Sequence, residues 1–100
     1  KQDNKVNLAS GYNMIGELYV EMDDLLKAEE YFHQAIRLAD EIESFPDLAS
    51  ANYNLGALNI KKGRKDMARE YWRKAQEIYK SIDPVKFEEV GKKLTELDIS

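Results

Sequence analysis

Glu30 and His33 stand one helical turn apart in the stretch "EEYFH", the E-x-x-H step that di-iron carboxylate bundles carry on two of their helices. A centre of that kind needs the step twice, and His33 is the only histidine in the chain. Cysteine is absent, which removes thiolate zinc sites and Cys/His nucleophile pairs. A Ser/His/Asp arrangement would have to draw on His33, which the helical period puts on the polar side of its helix. No glycine-rich phosphate loop, GxGxxG or Walker motif occurs. The balance favours a solvated Glu/His pair, and no catalytic, metal or cofactor residue is expected.

The second chemical candidate is basic. Residues 61–74, "KKGRKDMAREYWRK", hold seven Lys/Arg against two acids, with a tyrosine and a tryptophan among them. Cations interleaved with aromatics can bind nucleic acid by phosphate contact and base stacking. Tyr71 and Trp72 fall on an apolar helical stripe, however, which would remove the stacking platform and leave an ordinary solvated face. Nucleic acid is therefore disfavoured as a partner. Residues 1–48 carry 4 Lys/Arg against 11 Asp/Glu and residues 49–100 carry 11 against 8, so the basic stretch can also meet an acidic neighbour, including a second copy.

Any such residues must be positioned by a small scaffold. One hundred residues fit a single domain, 1–100, with one modest core. With 43% hydrophobic and 34% charged residues the chain reads as soluble and globular, with no apolar run long enough for a membrane. The absence of cysteine and of an apolar leader suggests a reducing, cytoplasmic location.

The chain repeats itself. A shift of forty residues pairs Ala9 with Ala49, Gly16 with Gly56, Leu18 with Leu58, Ala28 with Ala68, Tyr31 with Tyr71, Ala35 with Ala75 and Ile42 with Ile82. Within each unit the apolar residues step by three and four, the period of a helix buried on one face. Ala28, Tyr31, Phe32, Ala35, Leu38, Ala39 and Ile42 mark one such helix, here called B, and the matching run from Ala68 to Ile82 marks its copy. Upstream, Leu8, Tyr12, Ile15, Gly16 and Tyr19, then Leu48, Ala51, Leu55, Gly56 and Leu58, mark the preceding A helices. Asp23 or Asp24 is expected to cap the first B helix, and Gly63 to stop the second A helix in a left-handed conformation. Pro46 is expected to break the chain between units, with Asp47 capping the next helix. Asp83 before Pro84 starts a fifth helix. The units span about 5–43 and 47–82, with a capping helix at about 84–97.

These residues resemble the tetratricopeptide repeat, whose helix-turn-helix unit carries W-x2-L-G-x2-Y followed by A-x3-F and a further Ala. The first unit matches through Tyr12, Ile15, Gly16, Tyr19, Ala28, Phe32 and Ala35. The second matches through Leu55, Gly56, Ala68, Trp72 and Ala75, with Asn52 and Asn59 in place of the usual aromatics. The fifth helix matches the opening half through Phe87, Val90, Gly91 and Leu94. The forty-residue period is similar to that of longer-repeat members, such as those in kinesin light chains and bacterial peptide-sensing regulators. The resemblance implies an all-α fold, a right-handed α-α superhelix of two helix-turn-helix repeats plus a C-terminal capping helix. It also implies a non-catalytic protein-interaction module that binds on the concave face of its A helices.

At 100° per residue, the A-helix face opposite the apolar stripe presents Ser10, Asn13, Met14, Glu17 and Glu21 in the first unit. The second presents Ser50, Tyr53, Asn54, Ala57 and Lys61. Asn13, Met14, Glu17, Glu21, Ser50, Tyr53, Asn54 and Lys61 are thus the candidate groove. Asparagines can bond a peptide backbone through donor and acceptor, while Met14 and Tyr53 offer apolar contact. Members that clamp the C-terminal carboxylate of chaperone tails place Lys and Asn on the first A helix. Here Asn13 and Glu17 stand in those places, and Glu17 and Glu21 would repel a carboxylate. A basic or mixed-charge protein segment fits better. The alternative is architectural: a capping segment of a longer array, or a homodimer formed through the first helix.

Overall fold

A computed structural model of the protein describes residues 2–99. In chain order it has α1 Gln2–Glu21, α2 Leu25–Glu41, α3 Phe45–Lys61, α4 Lys65–Ile82 and α5 Pro84–Ile99. Among the described residues there is no strand. Each helix packs on its neighbours in sequence, most extensively within the pairs α1/α2 and α3/α4, with a lesser contact between α1 and α3. The fold is an all-α helical repeat, in which every pair completes its core against the next.

Three turns show how local sequence sets the helix ends. The α1–α2, α2–α3 and α3–α4 turns each hold one left-handed residue, Asp23 (φ 63°), Glu43 (φ 56°) and Gly63 (φ 76°). Each closes with the same pair of backbone bonds. Asp24 N donates to Tyr19 O at 2.9 Å, Ser44 N to Ala39 O at 2.8 Å and Arg64 N to Asn59 O at 2.8 Å, while the left-handed residue itself donates to the carbonyl three back. That is the Schellman arrangement, which satisfies two orphan carbonyls and is normally built on glycine. Only the third turn has glycine there. Glu43 pays a left-handed penalty of about 1–2 kcal/mol, partly offset because glycine would lose more backbone entropy on folding. Glu43→Gly is expected to stabilise the chain by roughly 0.5–1 kcal/mol, read as a higher urea midpoint; a lower midpoint would refute the turn geometry.

The caps follow the sequence at two sites and depart from it at one. Asp24 accepts from Lys27 N at 3.3 Å and Asp83 from Lys86 N at 3.1 Å. The α3 helix, however, begins at Phe45 with Ser44 as its N-cap and Pro46 inside the first turn. Pro46 does not interrupt the chain there, because a first-turn residue has no intrahelical use for its N–H. Asp47 is correspondingly not the cap. Its carboxylate accepts from the Ser44 and Ser10 hydroxyls, each at 2.8 Å, and so ties the start of α3 to α1.

Two buried clusters hold the helices together. Ala28 and Phe32 of α2 meet Leu55 and Leu58 of α3, flanked by Tyr19 and Val20 of α1. Ala68, Trp72, Ala75 and Tyr79 of α4 meet Ala49 of α3 and Val90 and Leu97 of α5, flanked by Phe87 and Leu94. α5 thereby covers the apolar face that α4 would otherwise expose. Gly16 and Gly56 make close approach possible, and their neighbours are aromatic. A Cβ on Gly16 would come to 2.6 Å from Phe32 Cδ1, and one on Gly56 to 2.9 Å from Trp72 Cγ. The space expected to serve the Gly16/Ala28 crossing is therefore kept for the Phe32 ring, and the Gly56 space for the Trp72 indole.

The two units differ where the aromatics are lost. In the first, Tyr31 lies between Tyr12 and Tyr19, with ring centroids 6.0 and 5.6 Å apart. In the second, Asn52 and Asn59 are buried and turn back on their own helix, donating to Leu48 O and Leu55 O at 2.8 Å. The expected apolar stripe of α1 is also only partly realised: Leu8 and Ile15 are exposed, because none of the described helices packs on that side of α1.

Candidate peptide-binding groove

Residues 50, 53, 54, 57 and 61 recur at helical spacing along α3 and so share one side of it. Around that side the fold builds an open groove of about 420 Å³. Ser50, Tyr53, Asn54 and Lys61 form its base, Glu17, Val20 and Glu21 of α1 one wall, and Tyr79 of α4 with Lys86 of α5 the other. Six of the eight sequence candidates, Glu17, Glu21, Ser50, Tyr53, Asn54 and Lys61, are brought together here.

Asn13 and Met14 are not. Asn13 is buried, donates from Nδ2 to Asp47 O at 3.3 Å, and has no protein donor to its Oδ1. It sits one turn too early on α1, where the start of α3 covers it, so its amide is unavailable to a ligand. Met14 is exposed and lies outside the groove lining. Conversely, helical phase within one element could not have found Tyr79 and Lys86, since they come from the following helices.

The base of the groove is held from beneath. The Tyr53 ring stacks on the Trp72 indole at 6.1 Å, and the Tyr53 carbonyl accepts from Trp72 Nε1 at 3.1 Å. Asn54 Nδ2 donates to Glu17 Oε2 at 3.1 Å and so links α3 to the α1 wall. Burial pushes the Tyr79 hydroxyl above the usual tyrosine range, with a hydrogen bond to Ser50 pulling the other way and Asp83, Tyr53 and Glu89 adding to the rise. Tyr79 is thus a neutral hydroxyl at physiological pH. The lining carries two carboxylates on α1 and two ammonium groups, Lys61 and Lys86, across from and beyond them. An extended or helical segment could meet both signs, with aromatic and amide surface between.

The other chemical candidates lie elsewhere. His33 borders an outer crevice of about 530 Å³ with Ile36, Asn52, Tyr71 and Lys74. Among the described residues no three His, Cys, Asp or Glu side chains gather closely enough to hold a metal ion. Within the basic stretch, Lys62 pairs with Glu29 at 2.8 Å, and Arg69 pairs with Asp98 at 2.8 Å and Asp66 at 3.0 Å. Trp72 is buried as expected, but Tyr71 is only half-buried, with Lys74 5.5 Å above its ring. No helix among the described residues is long and apolar enough to cross a membrane.

A family model for the tetratricopeptide repeat matches residues 7–81. The chain belongs to the tetratricopeptide repeat family. No curated protein and no solved structure gives a significant match. Membership accounts for the glycines under aromatic rings and for the alanines along α2 and α4. Tetratricopeptide repeats are generally non-catalytic protein-interaction modules, so protein partners are the class that membership suggests.

Proposed function

We propose that this tetratricopeptide chain binds a protein segment of mixed charge in the groove between α1, α3 and the start of α5. The observation that carries the reading is the convergence of Glu17 and Glu21 with Lys61 and Lys86 around the Tyr53 ring and the Asn54 amide. A basic side chain of the ligand is placed against the α1 carboxylates and an acidic one against a lysine. Charge complementarity of this kind sets orientation and selects against wrong partners more than it adds raw affinity. A uniformly acidic tail meets Glu17 and Glu21 unfavourably, and a uniformly basic one meets Lys61 and Lys86.

The test is an array of extended peptides with varied spacing of one Lys/Arg and one Asp/Glu around an aromatic residue, followed by titration calorimetry on the best. Lys61→Glu is expected to weaken the best mixed-charge peptide by about tenfold, near 1.4 kcal/mol, and Glu17→Lys to do the same from the other wall. Both residues are exposed, so the variants should melt like the parent. Equal binding by wild type and both reversals would remove the groove as the site.

A further inference from the structure

The two units can be compared at a second place, on the outer side of the molecule. In the first unit an open crevice of about 310 Å³ is lined by Leu8, Tyr12, Gln34, Arg37, Leu38 and Glu41. A shift of forty residues carries the first five onto Leu48, Asn52, Lys74, Glu77 and Ile78, and all of these line the crevice of about 530 Å³ beside His33. The two hollows are the same place in successive units. They differ at the position that carries a ring. Tyr12 packs on Tyr31, with centroids 6.0 Å apart. Asn52 instead turns back to donate from Nδ2 to Leu48 O at 2.8 Å, and the Tyr71 ring, the counterpart of Tyr31, becomes part of the crevice wall.

The chemistry around this opening is specific. Asn52 Nδ2 is committed, so Oδ1 is the acceptor that the amide can offer to a ring N–H or O–H. Asp40 of α2 and Glu77 of α4 are exposed at the rim and form no ion pair among the described residues. The lining holds one ammonium group against them, Lys74, which lies 5.5 Å above the Tyr71 ring. Through Glu77 and Ile78 the crevice adjoins an apolar hollow of about 390 Å³ bordered by Phe45 and Ile82, which are 51 and 42% exposed. From Tyr71 to Ile82 α4 rises ~16 Å. One ring cannot fill that length, whereas about five extended residues can.

We infer that this furrow holds an extended segment of a partner protein with a Trp or Tyr at one end, a Lys or Arg in the middle and an apolar side chain at the other end. The aromatic ring takes the place that Tyr12 fills in the first unit, packs on Tyr71 and donates to Asn52 Oδ1. The cation meets Asp40 and Glu77, and the apolar side chain covers Phe45 and Ile82. A second copy of the chain does not supply such a segment. Among the described residues every tyrosine and the tryptophan is buried or half-buried, and the exposed Phe45 has no ring donor. The furrow is also distinct from the proposed groove. Asn52 lies about 160° around α3 from Ser50 and Asn54, and the two linings share no residue.

The test is fluorescence polarisation with labelled nine-residue peptides, rich in serine, that carry one Trp, a Lys two residues on and a Leu five residues from the Trp, in both chain directions. Saturable one-to-one binding by one direction is expected, weakened about tenfold when the peptide Trp is replaced by Leu. Asn52→Tyr installs the ring of the first unit and should abolish binding with Tm no lower than the parent's. Glu77→Lys should weaken binding about fivefold, and the groove variant Lys61→Glu should leave it unchanged. Lys74→Gln, the residue of the first unit at that position, should tighten it by removing the competing cation. Binding that survives both Asn52→Tyr and Glu77→Lys overturns the proposal, as does a failure of both peptides to bind. A large fall in Tm for Asn52→Tyr overturns it too, because the opening would then not accept a ring. Tryptamine binding as tightly as the peptide, or a doubling of mass in sedimentation that Asn52→Tyr abolishes, overturns the partner segment in favour of a free aromatic amine or a second copy.

Discussion

Phe32→Ala is expected to destabilise the chain by about 3–5 kcal/mol, the range for deleting a buried aromatic ring and leaving part of its volume empty. Phe32 is buried, lies over Gly16 of α1, and shares a cluster with Leu55 and Leu58 of α3. One ring therefore joins three helices, and it also borders the floor of the groove. Neighbouring side chains cannot readily fill the gap, because the alanines beside it are short. Single domains are typically stable by about 5–15 kcal/mol, so the variant should be largely unfolded or near its transition at 37 °C. Urea denaturation followed by helical circular dichroism gives the number, and a loss under 1 kcal/mol would mean that Phe32 does not join these helices.

Gly56→Leu should be damaging for the opposite reason, too much volume rather than too little. The indole of Trp72 occupies the space that a Cβ would need, and it is pinned by its hydrogen bond to Tyr53 O at 3.1 Å. A leucine must displace the ring, at a cost of about 1–3 kcal/mol for overpacking, and the displaced indole forfeits its bond to Tyr53, worth about 1 kcal/mol. A fall in Tm of ~10 °C or more follows, with loss of order at the base of the groove as Tyr53 loses its support. Gly11→Ala is the control, since nothing lies near its Cβ position. There the better helix propensity should dominate and raise stability by roughly 0.5–1 kcal/mol. If the two glycines responded alike, the aromatic-on-glycine packing would be wrong.

The fold was legible because it is written in short-range patterns. The step of three and four along Ala28, Phe32, Ala35 and Ala39, the forty-residue echo, Asp24, Gly63 and Asp83 with Pro84 each act within a turn or two of helix, where side-chain direction follows from backbone geometry. The same phase argument grouped Glu17, Glu21, Ser50, Tyr53, Asn54 and Lys61 on faces that meet around one groove. It failed for Asn13 because solvent access depends on the neighbouring helix as well as on phase. α3 starts at Phe45, earlier than Pro46 suggested, and its first turn covers that part of α1.

By itself, then, the amino-acid sequence determined that this is a repeat of helix pairs, which side of each helix is apolar, and which residue types face away from the core. Only the tertiary structure decided which of those faces are covered. Leu18 and Leu58 are the same residue at the same repeat position, yet one is exposed and the other buried, because α2 packs on that face of α3 and none of the described helices packs on the matching face of α1. Lys86 and Tyr79 likewise join Tyr53 through the packing of α4 and α5 on α3. Helical phase is a property of one segment; burial and site membership are properties of the packed set.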